Sequence, residues 1–218
     1  MGAVAGLPAE SVAGQVPDTP WDYLPRRAEP VDHSSLLEQP FVTGQEVTQA
    51  CLDCHTEAAE QVIHTAHWRW QADPVLMEGR AEPVSVGKKN AINNFCIGIQ
   101  GNWSSCTSCH AGYGWEDANF DFENTANVDC LVCHDQSGGY RKGKSGIPAE
   151  GVDLLASAQS VGLPTRENCG SCHFRGGGGD AVKHGDMDTS LANPDFALDV
   201  HMDAEGLNFS CQACHATT

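Results

Sequence analysis

Apolar residues along the chain fall into short groups separated by glycine, proline and acidic residues, a pattern that predicts short helices and loops. The clearest helical pattern covers residues 57–68 in HTEAAEQVIHTAHWRW, with Thr56 as N-cap and Glu60 near the position that a capping box requires. A second helix is predicted over residues 148–161 in PAEGVDLLASAQSVGLP, where the following Gly162 favours its termination.

A third helix is expected to begin at Thr165 and to carry Cys169. Residues 176–179 are all glycine and predict a loop, while residues 1–30, rich in proline and small residues, predict an extended N-terminal arm. A membrane-spanning helix needs about eighteen consecutive apolar residues, and since the sequence has no such run we expect no membrane insertion. No long apolar stretch divides the rest, so residues 31–218 are expected to form one domain.

One five-residue pattern, Cys-x-x-Cys-His, occurs five times and uses ten of the eleven cysteines in this chain of 218 residues. We number these pentads 1 to 5 in chain order. Their members are Cys51, Cys54 and His55; Cys106, Cys109 and His110; Cys130, Cys133 and His134; Cys169, Cys172 and His173; and Cys211, Cys214 and His215. The pattern is the attachment motif of c-type haem, whose iron is bound by the histidine. Five covalently attached c-type haems are therefore predicted.

Two other uses of paired cysteines fit this pattern less well. A structural zinc site combines two Cys-x-x-Cys pairs in one tetrahedron, so five pairs are an awkward number and the histidine after each pair is left unexplained. A disulfide between cysteines separated by two residues closes a strained loop that is easily reduced. Covalent haem attachment also requires export, so we expect a periplasmic or extracellular location, although the N-terminus lacks the basic region of a signal peptide.

Five histidines lie outside the pentads, which matches the number of predicted irons. They are His33, His64, His67, His184 and His201. If each binds an iron opposite a pentad histidine, every haem is six-coordinate and low-spin, which suits electron transfer. In the alternative interpretation some are surface histidines, or Met77, Met187 and Met202 replace an imidazole. His64 and His67 would share a helical face, and His33 would bind a haem of its own subunit or of a neighbouring one.

These predictions define the expected fold class, a multihaem cytochrome c of mainly short α-helices and loops wrapped around stacked haems, with little or no β-sheet. Only 24 residues separate Cys106 from Cys130, so the haems of pentads 2 and 3 are expected to be close neighbours. The formal net charge of −17 excludes nucleic acid and anionic lipid as partners and favours basic redox partner proteins. It also disfavours a small anionic substrate, unless lysine and arginine residues offset it locally.

Several longer stretches resemble the N-terminal part of the octahaem tetrathionate reductase family of multihaem c-type cytochromes. They are GKKNAINNFC, CTSCHAGYGWED, VDCLVCHD with GGYRKG after it, and PTRENCGSCHFRGGGGDAVKHGDMD. The resemblance covers about residue 45 to the end, but five haem motifs occur here, which implies a shortened form. It also implies reduction of small sulfur or nitrogen oxyanions at one haem with a lysine ligand, beside bis-histidine conduits. By position, Lys142 or Lys144 would be that ligand.

Two functions therefore compete. The favoured one is an electron-transfer protein, not an enzyme, in which five haems relay electrons to redox partners, with head-to-tail polymerisation into an extracellular conducting filament as an extension. The alternative is the catalytic portion of a reductase acting on tetrathionate, nitrite or hydroxylamine. Cys96 is the cysteine outside the pentads, and it is interpreted as a buried apolar residue, a thiol near a reactive haem or an intermolecular disulfide.

Overall fold

The computed structural model of the protein describes residues 30–93 and 96–215. In that part of the chain seven α-helices occur, each of nine residues or fewer. They are α1 Gly44–Leu52, α2 Ala58–Ile63, α3 Ala66–Arg69, α4 Trp103–Cys106, α5 Leu131–His134, α6 Leu154–Gln159 and α7 Arg166–His173. The predicted arm over residues 1–30 lies, except for its last residue, outside the described residues.

Short 3-10 helices and isolated bridges connect these elements. The 3-10 helices are Ile99–Gly101, Thr107–Cys109, Thr125–Asn127, Lys144–Gly146, Thr189–Ala192 and Cys211–Ala213. No strand forms within the described ranges; the β-type pairing there consists of four isolated bridges, such as Gly112 with Val128. The predicted class of short helices and loops without a β-sheet is therefore confirmed.

The helix predicted over residues 57–68 is wrong as one element, because it forms two short helices, α2 and α3. Thr65 stands between them in an extended conformation, and its hydroxyl donates to the carbonyl of Val62 at 2.8 Å. Threonine competes for backbone partners in this way and therefore favours a cap over a helix interior. The predicted cap was also misplaced, since Glu57, not Thr56, is the N-cap and makes no side-chain capping bond.

The other helix predictions are closer to the structure. The helix predicted over residues 148–161 is shortened to α6, because Asp153 caps it by accepting from the amide of Ala156. The helix beginning after Thr165 is confirmed as α7, where Thr165 and Asn168 form a reciprocal capping box. The loop over residues 176–179 is confirmed by turns and bends.

The hydrophobic core consists of small clusters placed between the pentads. One joins α1, α5 and α6, a second joins α2 and α3 to Val128, and a third surrounds Trp115. Their buried members are Val47, Leu131, Leu154 and Ala158; Ala59, Ile63, Trp68 and Val128; and Trp70, Ile99 and Trp115. None of the helices in the described part of the chain is long and apolar enough to cross a membrane.

Candidate haem-binding sites

Each pentad lies in or beside a single helical turn, which brings its two cysteines to one face. Pentad 1 begins in the last turn of α1, pentad 2 spans α4 and the next 3-10 helix, and pentad 3 leads into α5. Pentad 4 forms the second half of α7, and pentad 5 begins in the 3-10 helix Cys211–Ala213. Helix α1 was not predicted from the sequence, although the capping box that Thr43 and Glu46 form is a signal for its start.

Three of the predicted axial histidines are oriented for iron. A histidine that binds a metal through Nε2 usually donates its Nδ1 hydrogen to a carbonyl or carboxylate, which fixes the ring and its tautomer. The Nδ1 atoms of His33, His134 and His173 contact the carbonyl oxygens of Val31, Gly162 and Gly185 at 2.7, 2.8 and 2.5 Å. Their Nε2 atoms are therefore left to accept an iron, and these residues fit the predicted haems.

Two pairs of imidazoles have the spacing of axial ligands on one metal ion. An imidazole nitrogen binds a first-row metal at about 2.0 Å, so two rings on opposite sides have centroids about 6 Å apart. The rings of His33 and His55 are 6.3 Å apart and nearly parallel, and those of His67 and His173 are 6.1 Å apart and nearly perpendicular. His33 thus has a partner in its own chain, which removes one reason for a head-to-tail polymer.

The other three histidines outside the pentads contact different groups. His64 is exposed and contacts Glu60 and Arg69. The His201 ring stacks on Phe209 at 6.4 Å, and the His184 amide donates to Asn93. Their assignment as ligands stays a prediction. Among the described residues, no three histidine, cysteine or acidic side chains converge as a metal site without haem would require.

Pentad 2 differs from the others because its histidine is enclosed. His110 has no exposed surface, and its ring lies 4.9 Å from the Trp68 ring and 4.8 Å from that of Trp115. Its Nε2 hydrogen-bonds the carbonyl oxygen of Trp68 at 2.7 Å, while its Nδ1 is buried without a hydrogen-bond partner. Iron can bind Nε2 only when this bond is broken, so pentad 2 fits haem through its cysteines and requires His110 to move.

Lysine side chains gather around the same pentad. Burial, together with the charges of Lys142, Lys88 and Lys89, lowers the pKa of His110 to about 3. The Cys172 thiol lowers the pKa of Cys109 to about 5, again with help from Lys183 and Lys88. Four of the five lysines in this acidic chain therefore act on pentad 2. The fifth lysine, Lys144, is exposed and lies in a 3-10 helix that packs against α4.

Lys142, one of the two predicted lysine ligands, has another partner. Its ammonium group is 2.6 Å from the carboxylate of Asp129, and both side chains are almost fully buried. The hydroxyls of Tyr113 and Tyr140 donate to the same carboxylate, one to each oxygen. Because Asp129 also receives a backbone bond from Val132, this network holds the start of pentad 3. In this network the Lys142 ammonium group is the partner of Asp129 and has a structural role.

Lys183 is the residue near pentad 2 that the sequence did not indicate. Its ammonium group donates to Asp186 at 2.8 Å and to the carbonyl oxygen of Cys172 at 2.9 Å, and little of it is exposed. It lies 74 positions from Cys109 in the sequence, so no motif spacing could have connected the two. Cys96 is exposed and has a positive φ of 59°, so the interpretation as a buried apolar residue is wrong.

Pentads 2 and 3 lie side by side, as the short separation between them predicted. The amide of Asp129, directly before pentad 3, donates to the carbonyl oxygen of Ala111, directly after pentad 2, at 3.0 Å. A bridge between Gly112 and Val128 continues this pairing. The polypeptide thus brings the two attachment sites together, and stacking of their haems stays a prediction.

The chain is similar to the crystal structure of octahaem cytochrome c from Shewanella oneidensis, with 51% identity and a TM-score of 0.75. The match covers 86% of this chain but 41% of the octahaem chain, so this chain spans less than half of its length. An uncharacterised protein of Archaeoglobus fulgidus is 25% identical in an alignment of 237 positions, which covers 85% of this chain and 78% of that protein. No family model matches. The structural match supports a multihaem c-type cytochrome with covalently bound haem iron.

The same match corrects one expectation from the sequence. The prediction was an electron-transfer protein that is not an enzyme. It is contradicted, because the 51% identical chain is an octahaem cytochrome c and such chains include enzymes. The octahaem family that the sequence resembles consists of reductases, so redox catalysis has to be considered together with electron transfer.

Proposed function

Taking multihaem c-type cytochromes as the class, we propose that the protein is a redox enzyme that reduces a small anion of sulfur or nitrogen at pentad 2. The observation that carries this proposal is the gathering of Lys88, Lys89 and Lys183 around Cys109 and His110. The net charge of −17 would repel an anion elsewhere on the surface. The ammonium groups of Lys88 and Lys89, which lie over the rings of Trp70 and Phe122, would offset that repulsion at this pentad.

The residues divide into two groups by role. Cys106, Cys109 and His110 would hold the haem of pentad 2, which when bound supplies electrons and an iron that a substrate can approach. Lys183 and Lys88 would bind the oxygen atoms of the anion, since an ammonium group donates up to three hydrogen bonds. Asp186 holds Lys183 by a 2.8 Å ion pair, and the Trp70 ring lies 4.1 Å from the Lys88 ammonium. Both amines are thus fixed before a substrate arrives.

The other four pentads would carry bis-histidine conduits. The pairs His33 with His55 and His67 with His173 support this assignment for pentads 1 and 4. Such ligation fills both axial positions, leaving no place for a substrate and favouring electron transfer. Attachment of five haems would take place after export, and the acidic surface would favour basic redox partners.

Turnover by the haem-loaded protein tests this proposal. Tetrathionate and nitrite are supplied in turn as anions, and hydroxylamine as an uncharged comparison, with a reduced dye as electron donor. Lys183→Met should lower kcat/KM for the accepted substrate by about a hundredfold, the scale of losing one preorganised donor. Lys144→Met removes an exposed lysine and should change it less than about twofold. Absence of turnover for both anions, or equal losses in both variants, would contradict the proposal.

A further inference from the structure

The sequence after Lys183 contains no lysine or arginine. Six acidic residues occur there, namely Asp186, Asp188, Asp195, Asp199, Asp203 and Glu205. The first of them, Asp186, is paired with Lys183 itself. The segment that leads to pentad 5 therefore carries a net negative charge that no lysine or arginine of the same segment offsets.

Large apolar side chains are exposed among these carboxylates. Phe196, Leu198 and Val200 have 69, 49 and 47% of their surface exposed, and Asp195 and Asp199 stand between and beside them. An exposed apolar group with a polar rim is the usual composition of a surface that binds another protein. We call residues 194–205 the acidic loop.

Hydrogen bonds hold the acidic loop in one shape. The amide of Ala204 donates to the carbonyl oxygen of Pro194 at 2.9 Å, which closes the loop at its base. Within it, the carboxylate of Asp199 accepts from the amides of His201 and Met202 at 2.8 and 3.0 Å. A surface that is ordered before contact loses less conformational entropy on binding, so this loop is suited to recognition.

The acidic loop is joined to pentad 5. The amide of Phe209 donates to the carbonyl oxygen of His201 at 2.9 Å, and the rings of these two residues stack at 6.4 Å. The buried guanidinium group of Arg166 donates to the carbonyl oxygens of Met202 and Phe209, both at 2.6 Å. Because Phe209 stands two residues before Cys211, the loop lies beside the attachment site of the fifth haem.

We propose that the acidic loop is the docking surface for a small basic redox protein that exchanges electrons with the haem of pentad 5. Positive side chains of that partner complement the carboxylates and speed the encounter, and Phe196 supplies the apolar contact at the centre. One electron leaves the partner, which is oxidised, and reduces the iron of pentad 5, with no bond formed or broken. This direction rests on the proposed function, whereas the docking does not.

A second group of exposed apolar side chains has a different charge pattern. Residues 72–86 form a hairpin in which Val75 and Val84 exchange two backbone hydrogen bonds. Its Leu76 is 68% exposed, almost the same as Phe196. The hairpin contains Arg80 and is followed by Lys88 and Lys89, so its charge is mixed and fits a basic partner less well. It therefore provides matched control positions.

Binding of the haem-loaded protein to oxidised mitochondrial cytochrome c, a small basic haem protein, tests the apolar part of the surface. At a salt concentration of about 10 mM, where charges are little screened, binding should be measurable. Phe196→Ser should raise Kd by about fivefold or more, because it removes the central apolar contact, and Leu76→Ser should change it by less than about twofold. An unchanged Kd in Phe196→Ser would overturn the proposal.

A pair of charge variants tests the acidic rim. Asp195→Asn with Glu205→Gln should raise Kd by about tenfold and weaken its dependence on salt. The new amide oxygen at position 195 can still accept from the amide of Leu198, as the carboxylate does. Glu78→Gln with Glu82→Gln removes as many charges from the hairpin and should change Kd by less than about twofold. Equal changes in the two pairs would mean general attraction to an acidic protein and overturn the docking surface.

Carbodiimide cross-linking then locates the contact without any assay of turnover. Lysines of the probe should become linked to Asp195 or Glu205, and links confined to the hairpin would overturn the proposal. Sedimentation of the protein alone tests a second copy as the occupant: a dimer that Phe196→Ser abolishes would also overturn it. Since the probe is oxidised, failure of the proposed reductase function leaves these results unchanged, and failure of docking leaves dye-driven turnover unchanged.

Discussion

Pentads 1 and 2 contain the same three residue types, yet the protein surrounds them differently. At pentad 1, His55 is exposed and its ring lies 6.3 Å from that of His33, the spacing of two axial ligands on one metal ion. At pentad 2, His110 is fully buried among tryptophan rings and lysines surround the site. In the proposed function the motif attaches the haem, and its surroundings determine whether that haem conducts electrons or also meets a substrate.

The largest expected difference between pentads 1 and 2 is in substrate reduction after either attachment site is removed. Cys106→Ala combined with Cys109→Ala should abolish substrate reduction down to the background, because the proposed reacting haem is not attached. Cys51→Ala combined with Cys54→Ala should keep measurable turnover, since the dye can still reduce the remaining haems. A pyridine haemochrome assay should count four haems in each variant. Equal activity in both would show that pentad 2 has no special role.

The buried network beside pentad 2 gives the next largest effect. Asp129→Ala should lower the free energy of unfolding by about 3–5 kcal/mol, because it leaves the Lys142 charge buried without a partner. The control is Glu60→Gln on the pentad 1 side, whose contact with His64 is exposed and should be worth under about 1 kcal/mol. Denaturant unfolding of the haem-loaded protein measures both.

A double variant separates charge from packing in that network. Asp129→Ala with Lys142→Met removes both charges, so it should recover a large part of the stability lost in the single variant. Failure of this rescue would mean that the hydrogen bonds from Tyr113 and Tyr140, not the buried charge, dominate the cost.

Loss of the distal ligand sharpens the comparison at pentad 1. His33→Ala should convert one low-spin haem to a high-spin or five-coordinate form, which is visible by absorption and electron paramagnetic resonance. Substrate reduction should fall by less than about threefold, because the altered haem is a conduit in this account. Retention of every low-spin signal would show that His33 does not bind the iron.

Ionic strength should produce the smallest effect. Raising salt from about 10 mM to about 150 mM shortens the Debye length from about 30 Å to about 8 Å, which screens the lysines around pentad 2. The value of kcat/KM for an anionic substrate should then fall a few-fold. The rate at which the dye reduces the haem of pentad 1 should change with salt only as far as the charge of the dye requires. A kcat/KM that rises with salt would indicate repulsion at pentad 2.

Attachment chemistry could be predicted from the sequence because the five pentads are local patterns. The start of α7 was likewise predictable, since Thr165 and Asn168 cap their own helix. The contact between His67 and His173 was not predictable, because the two rings meet only after the chain between them has folded. The lysines around pentad 2 come from three distant segments, so only the fold brings them together. Lys142 was misjudged because its partner Asp129 could not be identified from spacing.

Low-temperature electron paramagnetic resonance of the oxidised, haem-loaded protein tests the central difference most directly, with the Cys106→Ala, Cys109→Ala variant beside it. The account predicts low-spin bis-histidine signals from pentads 1 and 4, together with one high-spin or lysine-type signal that the variant lacks. A spectrum with bis-histidine signals alone, unchanged in type when the haem of pentad 2 is absent, would contradict it.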